Sequence, residues 1–168
     1  VSTLDEIRHP VIRETLKEMH YPAKIEITSL ADIPSGTGLG SSGSFTTALI
    51  KALHSMKRRF ISPQELAEEA AHVEINLLKE PVGKQDQYIA AFGGLTCFRF
   101  NKDDSVEVWP LKIPADALVD LEENLLLFFT GFTRDAGSVL REQHKKSEVD
   151  DSEMIDNLHF VKELGLQS

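Results

Sequence analysis

The stretch Pro34-Ser35-Gly36-Thr37-Gly38-Leu39-Gly40-Ser41-Ser42 packs three glycines, three serines and a threonine into nine positions. Glycines let a backbone adopt positive φ and approach a ligand closely. A helix that follows such a loop offers unpaired N–H groups and the positive end of its dipole. Together they make a site for phosphate. A serine hydroxyl at the helix start can also ligate Mg²⁺. Three motifs compete for this stretch. Walker A requires a lysine after its last glycine, and none follows here. Gly38-x-Gly40-x-x-Gly43 matches the dinucleotide fingerprint, but that fold also needs a second buried strand with an acidic end about 20 residues on. Lys57-Arg58-Arg59-Phe60-Ile61-Ser62-Pro63 is no such strand. The third pattern, P-x-x-x-G-L-G-S-S, matches throughout from Pro34 to Ser42. A ligand-free structural loop is the bland alternative.

Two carboxylates stand out next. Glu74 has Ala67, Ala70, Ala71, Leu77 and Leu78 as its helical neighbours. A carboxylate on an apolar face needs a partner, because an unpaired buried charge is costly. That partner is Mg²⁺ or a Lys or Arg from another element, unless Glu74 lies at the edge of the stripe. Asp86, in Gly83-Lys84-Gln85-Asp86-Gln87, lies at a helix start. There it is either catalytic or simply favoured by the dipole. Lys84 is placed to lower the Asp86 pKa or touch a phosphate, or else is a solvated charge; with Gly83 and Gln85 it forms a candidate substrate-binding stretch. Thr133 and Arg134 are either substrate-phosphate contacts or plain surface. The six histidines show no metal-ligand spacing.

These residues need elements to hold them. The pattern predicts a helix over Asp5–Met19 and a strand over Lys24–Leu30, with Ile25, Ile27 and Ser29 on one face. A loop covers 31–41, and a helix starts near Ser41-Ser42 and runs through Phe45, Leu49, Leu53 and Met56. Ser62-Pro63-Gln64-Glu65 reads as a capping box opening a helix to about Leu78. A short helix spans Gln85–Phe92 and stops at Gly93-Gly94. A hairpin joins Leu95–Phe100 to Ser105–Leu111. Residues 112–124 read as a joint between two units. Leu125–Thr130 is expected as a buried strand, 131–134 as a turn, Asp135–Ser147 as a polar helix, and Ser152 as the cap of a last helix ending near Gly165. Strands and helices do not alternate strictly, so the fold class is α+β.

The 168 residues suffice for one domain or one and part of another. A net charge of −9 argues against nucleic-acid binding, which rests on Lys and Arg. A bound nucleotide phosphate is then held by backbone N–H groups and a metal. No apolar run approaches the ~20 residues of a membrane helix. The lone Cys97 cannot form an internal disulfide, and the N-terminus lacks signal-peptide character. These features fit a cytoplasmic protein without membrane partners.

Ile33–Phe45, Pro81–Gly94 and Leu125–Arg134 resemble the bacterial heptose kinases of the galactokinase, homoserine kinase, mevalonate kinase and phosphomevalonate kinase (GHMP) family. The resemblance runs from about Ile25 to Glu142. It implies a GHMP kinase fold: a ribosomal protein S5 domain 2-like N-terminal portion over 1–111, incomplete at its start, and the beginning of a ferredoxin-like C-terminal domain over 112–168. It implies ATP and Mg²⁺ as cofactors, the 34–42 loop on the ATP phosphates, Ser42 and Glu74 as Mg²⁺ ligands, and Asp86 as the catalytic aspartate. The implied acceptor is the anomeric hydroxyl of D-glycero-D-manno-heptose 7-phosphate, in GDP-heptose formation. Fucose or galactose remain open as acceptors, as does a nucleotide-binding fragment with no activity of its own. The family's N-terminal Gly-Thr-Asp segment and its glycine-rich third motif are both missing from this sequence.

Overall fold

The computed structural model describes residues 1–32, 36–128 and 136–167, the side chains of 136–138 excepted. A 3₁₀ turn at Leu4–Glu6 precedes helix α1 (Pro10–Glu18). The expected single helix from Asp5 is therefore split. Pro10 has no N–H to bond back into a preceding turn and disfavours a helical residue before it, and His9 is extended at φ −74° and ψ 114°. Val11, Thr15 and Leu16 point inward from α1.

Residues 22–31 carry no regular structure. Side-chain burial still alternates as expected of a strand, with Ile25 and Ile27 packed against the core. Ser29 is exposed. Alternation makes a strand only when a neighbour supplies the hydrogen bonds, and none does so among the described residues.

Helix α2 (Ser41–Met56) is the central element, with Leu49, Ile50 and Leu53 in the core. Helix α3 (Pro63–Ala71) opens with the predicted capping box between Ser62 and Glu65. It continues as a π-helical turn, His72–Leu77, where Leu78 N–H bonds the Val73 carbonyl at 3.0 Å. Helix α4 (Gln85–Phe92) packs against α2 and α3. The core joins Leu16, Ile50, Leu53, Leu66, Ala70 and Val73.

Strands β1 (Thr96–Phe100) and β2 (Val106–Pro110) form the expected antiparallel hairpin, with Phe98 opposite Val108. Phe98 and Phe100 meet Tyr88 edge-on, which seats the hairpin on α4. Helices beside one small sheet make the fold α+β.

Beyond the hairpin the expectations change. Residues 112–124, expected as a joint, contain helix α5 (Ala115–Glu123), which buries no residue. The buried strand expected at Leu125–Thr130 is not there: Leu125 to Phe128 have no regular structure and are 65–81% exposed, while 129–130 lie outside the described residues. An apolar run is buried only if something covers it, and no described element does so. The expected turn at 131–134 also lies outside the described residues. Helix α6 (Ala136–Glu148) matches the polar helix. Helix α7 (Ser152–Gln167) begins at Ser152 itself, and the cap is Asp151, whose carboxylate accepts from Met154 N–H at 2.9 Å. No described helix is long and apolar enough to cross a membrane.

Candidate active site

The glycine loop leads straight into α2. Gly36, Gly38 and Gly40 all have positive φ, at 77°, 79° and 69°. Gly40 is the N-cap, and no side chain caps the helix. The first-turn N–H groups of α2 thus face the loop without side-chain competition, the arrangement that suits an anion. Pro34 and Ser35 lie outside the described residues.

Ser42 and Glu74 are 32 residues apart in sequence, and the fold joins them: Ser42 Oγ donates to Glu74 Oε1 at 2.7 Å. Glu74 is 3% exposed. It sits on the π-helical turn, a feature found often at functional sites. Its other donors are Thr46 Oγ1, at 2.7 Å from Oε1, and Gln87 Nε2 on Oε2. No Lys or Arg pairs with it among the described residues. Of the partners its sequence position left open, a protein cation is therefore not the one found.

Asp86 reaches the same place from α4. A Cβ built on Gly43 would stand 2.7 Å from Asp86 Cβ and 3.1 Å from Gln87 N; one on Gly40 would stand 3.1 Å from Asp86 Cγ. The first turn of α4 is therefore seated on Gly43 of α2 and on the N-cap Gly40. Asp86 keeps an exposed face, yet loss of water on this side and then the Glu74 charge push its carboxyl above the usual carboxylate range. Lys84 does not counter this. Its ammonium is turned to Glu68 at 3.4 Å and Asp104 at 3.0 Å, tying the hairpin loop to the segment ahead of α4.

Gly83, Lys84 and Gln85 line a cavity of about 1030 Å³ that runs past His54, Glu69 and Phe100. Neither the described loop residues nor Ser42, Glu74 or Asp86 border it. The chemistry-bearing cluster, not this cavity, defines the candidate site. Thr133 and Arg134 lie outside the described residues.

The donor set fits one divalent cation. Two neighbouring carboxylates without an ion-pair partner among the described residues, plus a hydroxyl, leave excess negative charge beside an anion-binding helix start. Mg²⁺ takes a hydroxyl and one or two carboxylates and completes its shell with water and phosphate oxygens. No group of three His, Cys, Asp or Glu competes among the described residues. Sequence reading singled out Ser42, Glu74 and Asp86, and the structure brings all three together. It missed Thr46 and Gln87. It also left unexplained why Gly43 is a glycine, although the G-x-G-x-x-G pattern had marked that position.

Comparison with known proteins decides the family. The family described as GHMP kinases N terminal domain matches residues 7–94, which include the described loop, Ser42, Glu74 and Asp86. The chain belongs to the GHMP kinases. A D-glycero-alpha-D-manno-heptose 7-phosphate kinase of Campylobacter jejuni is 33% identical over 142 residues, 84% of this chain and 41% of that protein. A galactokinase of Pyrococcus furiosus is 29% identical over 107 residues, 64% of this chain and 29% of that protein. The crystal structure of a D-glycero-D-manno-heptose 1-phosphate kinase from Bacteriodes thetaiotaomicron aligns with a TM-score of 0.54 at 31% identity, covering 66% of this chain and 36% of that one. The chain thus spans less than half the length of these GHMP relatives.

Proposed function

We propose that this chain carries the phosphate-binding and catalytic half of an ATP-dependent sugar kinase. Its acceptor in this reading is the anomeric hydroxyl of D-glycero-D-manno-heptose 7-phosphate, on the way to GDP-heptose in the cytoplasm. The observation that carries the reading is the convergence of Ser42, Glu74 and Asp86 on the open N-terminus of α2. The heptose acceptor rests on the heptose kinases among the relatives. Residues 1–111 form the N-terminal domain in this reading and 112–168 the start of a second.

In the mechanism, backbone N–H groups of the 34–42 loop and the first turn of α2 hold the ATP phosphates. Ser42 Oγ and one Glu74 oxygen would hold Mg²⁺, which neutralises the charge gathered on the phosphates. Asp86, on the adjacent turn, orients the acceptor hydroxyl. Seated against Gly40 and Gly43 beside the phosphate-binding turn, Asp86 is placed to take the hydroxyl proton. The acceptor oxygen then bonds to the γ-phosphorus as the bond to the ADP oxygen breaks. Positioning and charge neutralisation supply most of the rate, since this transfer asks for little covalent help. Gly83, Lys84, Gln85, Thr133 and Arg134 are the acceptor-side candidates, Lys84 only if it leaves its present partners.

A second reading is binding of nucleotide without turnover, since the glycine loop and the open N-terminus of α2 suffice to hold phosphate. The deciding experiment measures ADP release from Mg²⁺-ATP with heptose 7-phosphate, fucose and galactose as acceptors. Release with the heptose phosphate supports the proposal. Release with fucose or galactose instead moves the acceptor. ATP binding with no release, also in the longer protein, supports the second reading.

A further inference from the structure

We propose that Thr46 and Gln87 are positioning residues that fix the Glu74 carboxylate for the cation, one on each oxygen. The inference rests on the kinase reading above. Both side chains are closed off from water, Thr46 at 0% and Gln87 at 1% exposure. Thr46 Oγ1 lies 2.7 Å from Glu74 Oε1 and 3.1 Å from the Ser42 carbonyl. A hydroxyl has a single proton, and the shorter contact to the charged group holds it. Gln87 Nε2 donates to Glu74 Oε2.

Gln87 makes this contact at a cost. Its amide oxygen is buried and has no hydrogen-bond partner among the described residues. An orphaned buried oxygen is destabilising, because it has given up water for nothing. Turning the amide over would relieve nothing, because the oxygen would then face the Glu74 carboxylate. The orientation is therefore dictated by Glu74, and a buried group left unsatisfied in this way calls for a reason outside stability.

The reason lies in what happens to Ser42. In the structure Ser42 also donates to Glu74 Oε1. A hydroxyl that ligates a cation through its oxygen must turn its proton away from the ion, so the Ser42 bond to Oε1 is the restraint on Glu74 that ion binding itself alters. Thr46 and Gln87 then remain, one per oxygen, and neither depends on the ion. Thr46 lies one helical turn beyond Ser42, and Gln87 follows Asp86. Each restraint therefore comes from an element that already carries a site residue.

The test is a Mn²⁺ titration of the chain, with free Mn²⁺ followed by electron paramagnetic resonance; Mn²⁺ suits octahedral oxygen sites as Mg²⁺ does. Thr46→Val and Gln87→Met each keep shape and remove one donor. Loss of such an outer partner weakens metal affinity by about 10–100-fold, and at least tenfold is expected for each. Thr46→Ser, which keeps the hydroxyl, should bind within about twofold of the native chain. Gln87→Met also removes the orphaned oxygen, so its melting temperature should barely move. Folded variants that bind Mn²⁺ as tightly as the native chain overturn the positioning role and leave the kinase reading intact. A native chain that takes up no Mn²⁺ either alone or beyond that held by added ADP overturns the metal reading and this inference with it. Should Thr46→Val fail to fold, Gln87→Met alone decides.

Discussion

Gly43→Ala is the substitution that most directly tests how α4 is seated on α2. In an unconstrained helix it should help, since alanine is favoured over glycine by about 1 kcal/mol. Here the new Cβ would lie 2.7 Å from Asp86 Cβ and 3.0 Å from the Asp86 carbonyl carbon. Carbon atoms rest at about 3.5–4.0 Å, so one helix must retreat by roughly 1 Å. The obstacle is backbone and Cβ rather than the end of a flexible side chain. Overpacking of this kind costs about 1–3 kcal/mol. Disturbing the Gln87 donor to the buried Glu74 adds about 1–3 kcal/mol more. The helix gain offsets part of this, leaving a net loss of about 3 kcal/mol and a melting temperature lower by about 6–12 °C for a chain of this size. Gly165→Ala in α7 is the matched control. Its Cβ meets nothing within 4 Å, so helicity by circular dichroism should hold or rise. If Gly43→Ala melts at or above the native temperature, the close seating of α4 on α2 is wrong, and the placement of Asp86 with it.

Three further outcomes follow from the same contacts. Asp86→Asn should raise the urea midpoint of the ligand-free chain at pH 7: the folded-state pKa is raised, so ionisation costs stability as pH climbs past the usual carboxylate range, and the gain should vanish at low pH. In the active protein the same variant should lose turnover while keeping ATP affinity within severalfold; unchanged turnover removes Asp86 from the chemistry. Burial, and then the bond to Glu68, push the Tyr88 hydroxyl well above its ordinary value, so stability from this group holds below about pH 10 and falls above it; urea titrations between pH 7 and 11 should show less alkaline loss in Tyr88→Phe. Ser62→Ala breaks the capping box and should lower stability by about 1 kcal/mol, read as a shift of the urea midpoint with unchanged slope.

What could be read from the sequence was local. The capping box at Ser62 and the glycine loop follow from neighbouring residues and appear as expected. Pro10 was a local signal too, and it broke a helix that periodicity alone had drawn through it. The segment around Ile25 and Ile27 shows the limit of pattern. Its alternation is real, but a strand is a relation between two segments, and only one was on view. Leu125 to Phe128 make the same point for hydrophobicity, which states a preference for burial and not the presence of a cover. Glu74 was legible because a carboxylate among alanines and leucines demands a partner. Thr46 and Gln87 were not, because a buried hydroxyl or amide is ordinary until the fold shows what it touches.

The alternation of positive φ at Gly36, Gly38 and Gly40 has a consequence for how this loop tolerates change. Every second residue there is constrained by the handedness of its backbone, and most side chains at these positions meet the left-handed penalty of roughly 1–2 kcal/mol, Asn and Asp least. Leu39, between two of them and 47% exposed, carries no such constraint. A saturation scan scored for folding should therefore show a comb, with glycine favoured at 36, 38 and 40, asparagine and aspartate next, and broad acceptance at 39. Substitutions accepted evenly along the loop would mean that its shape is not set by these three residues.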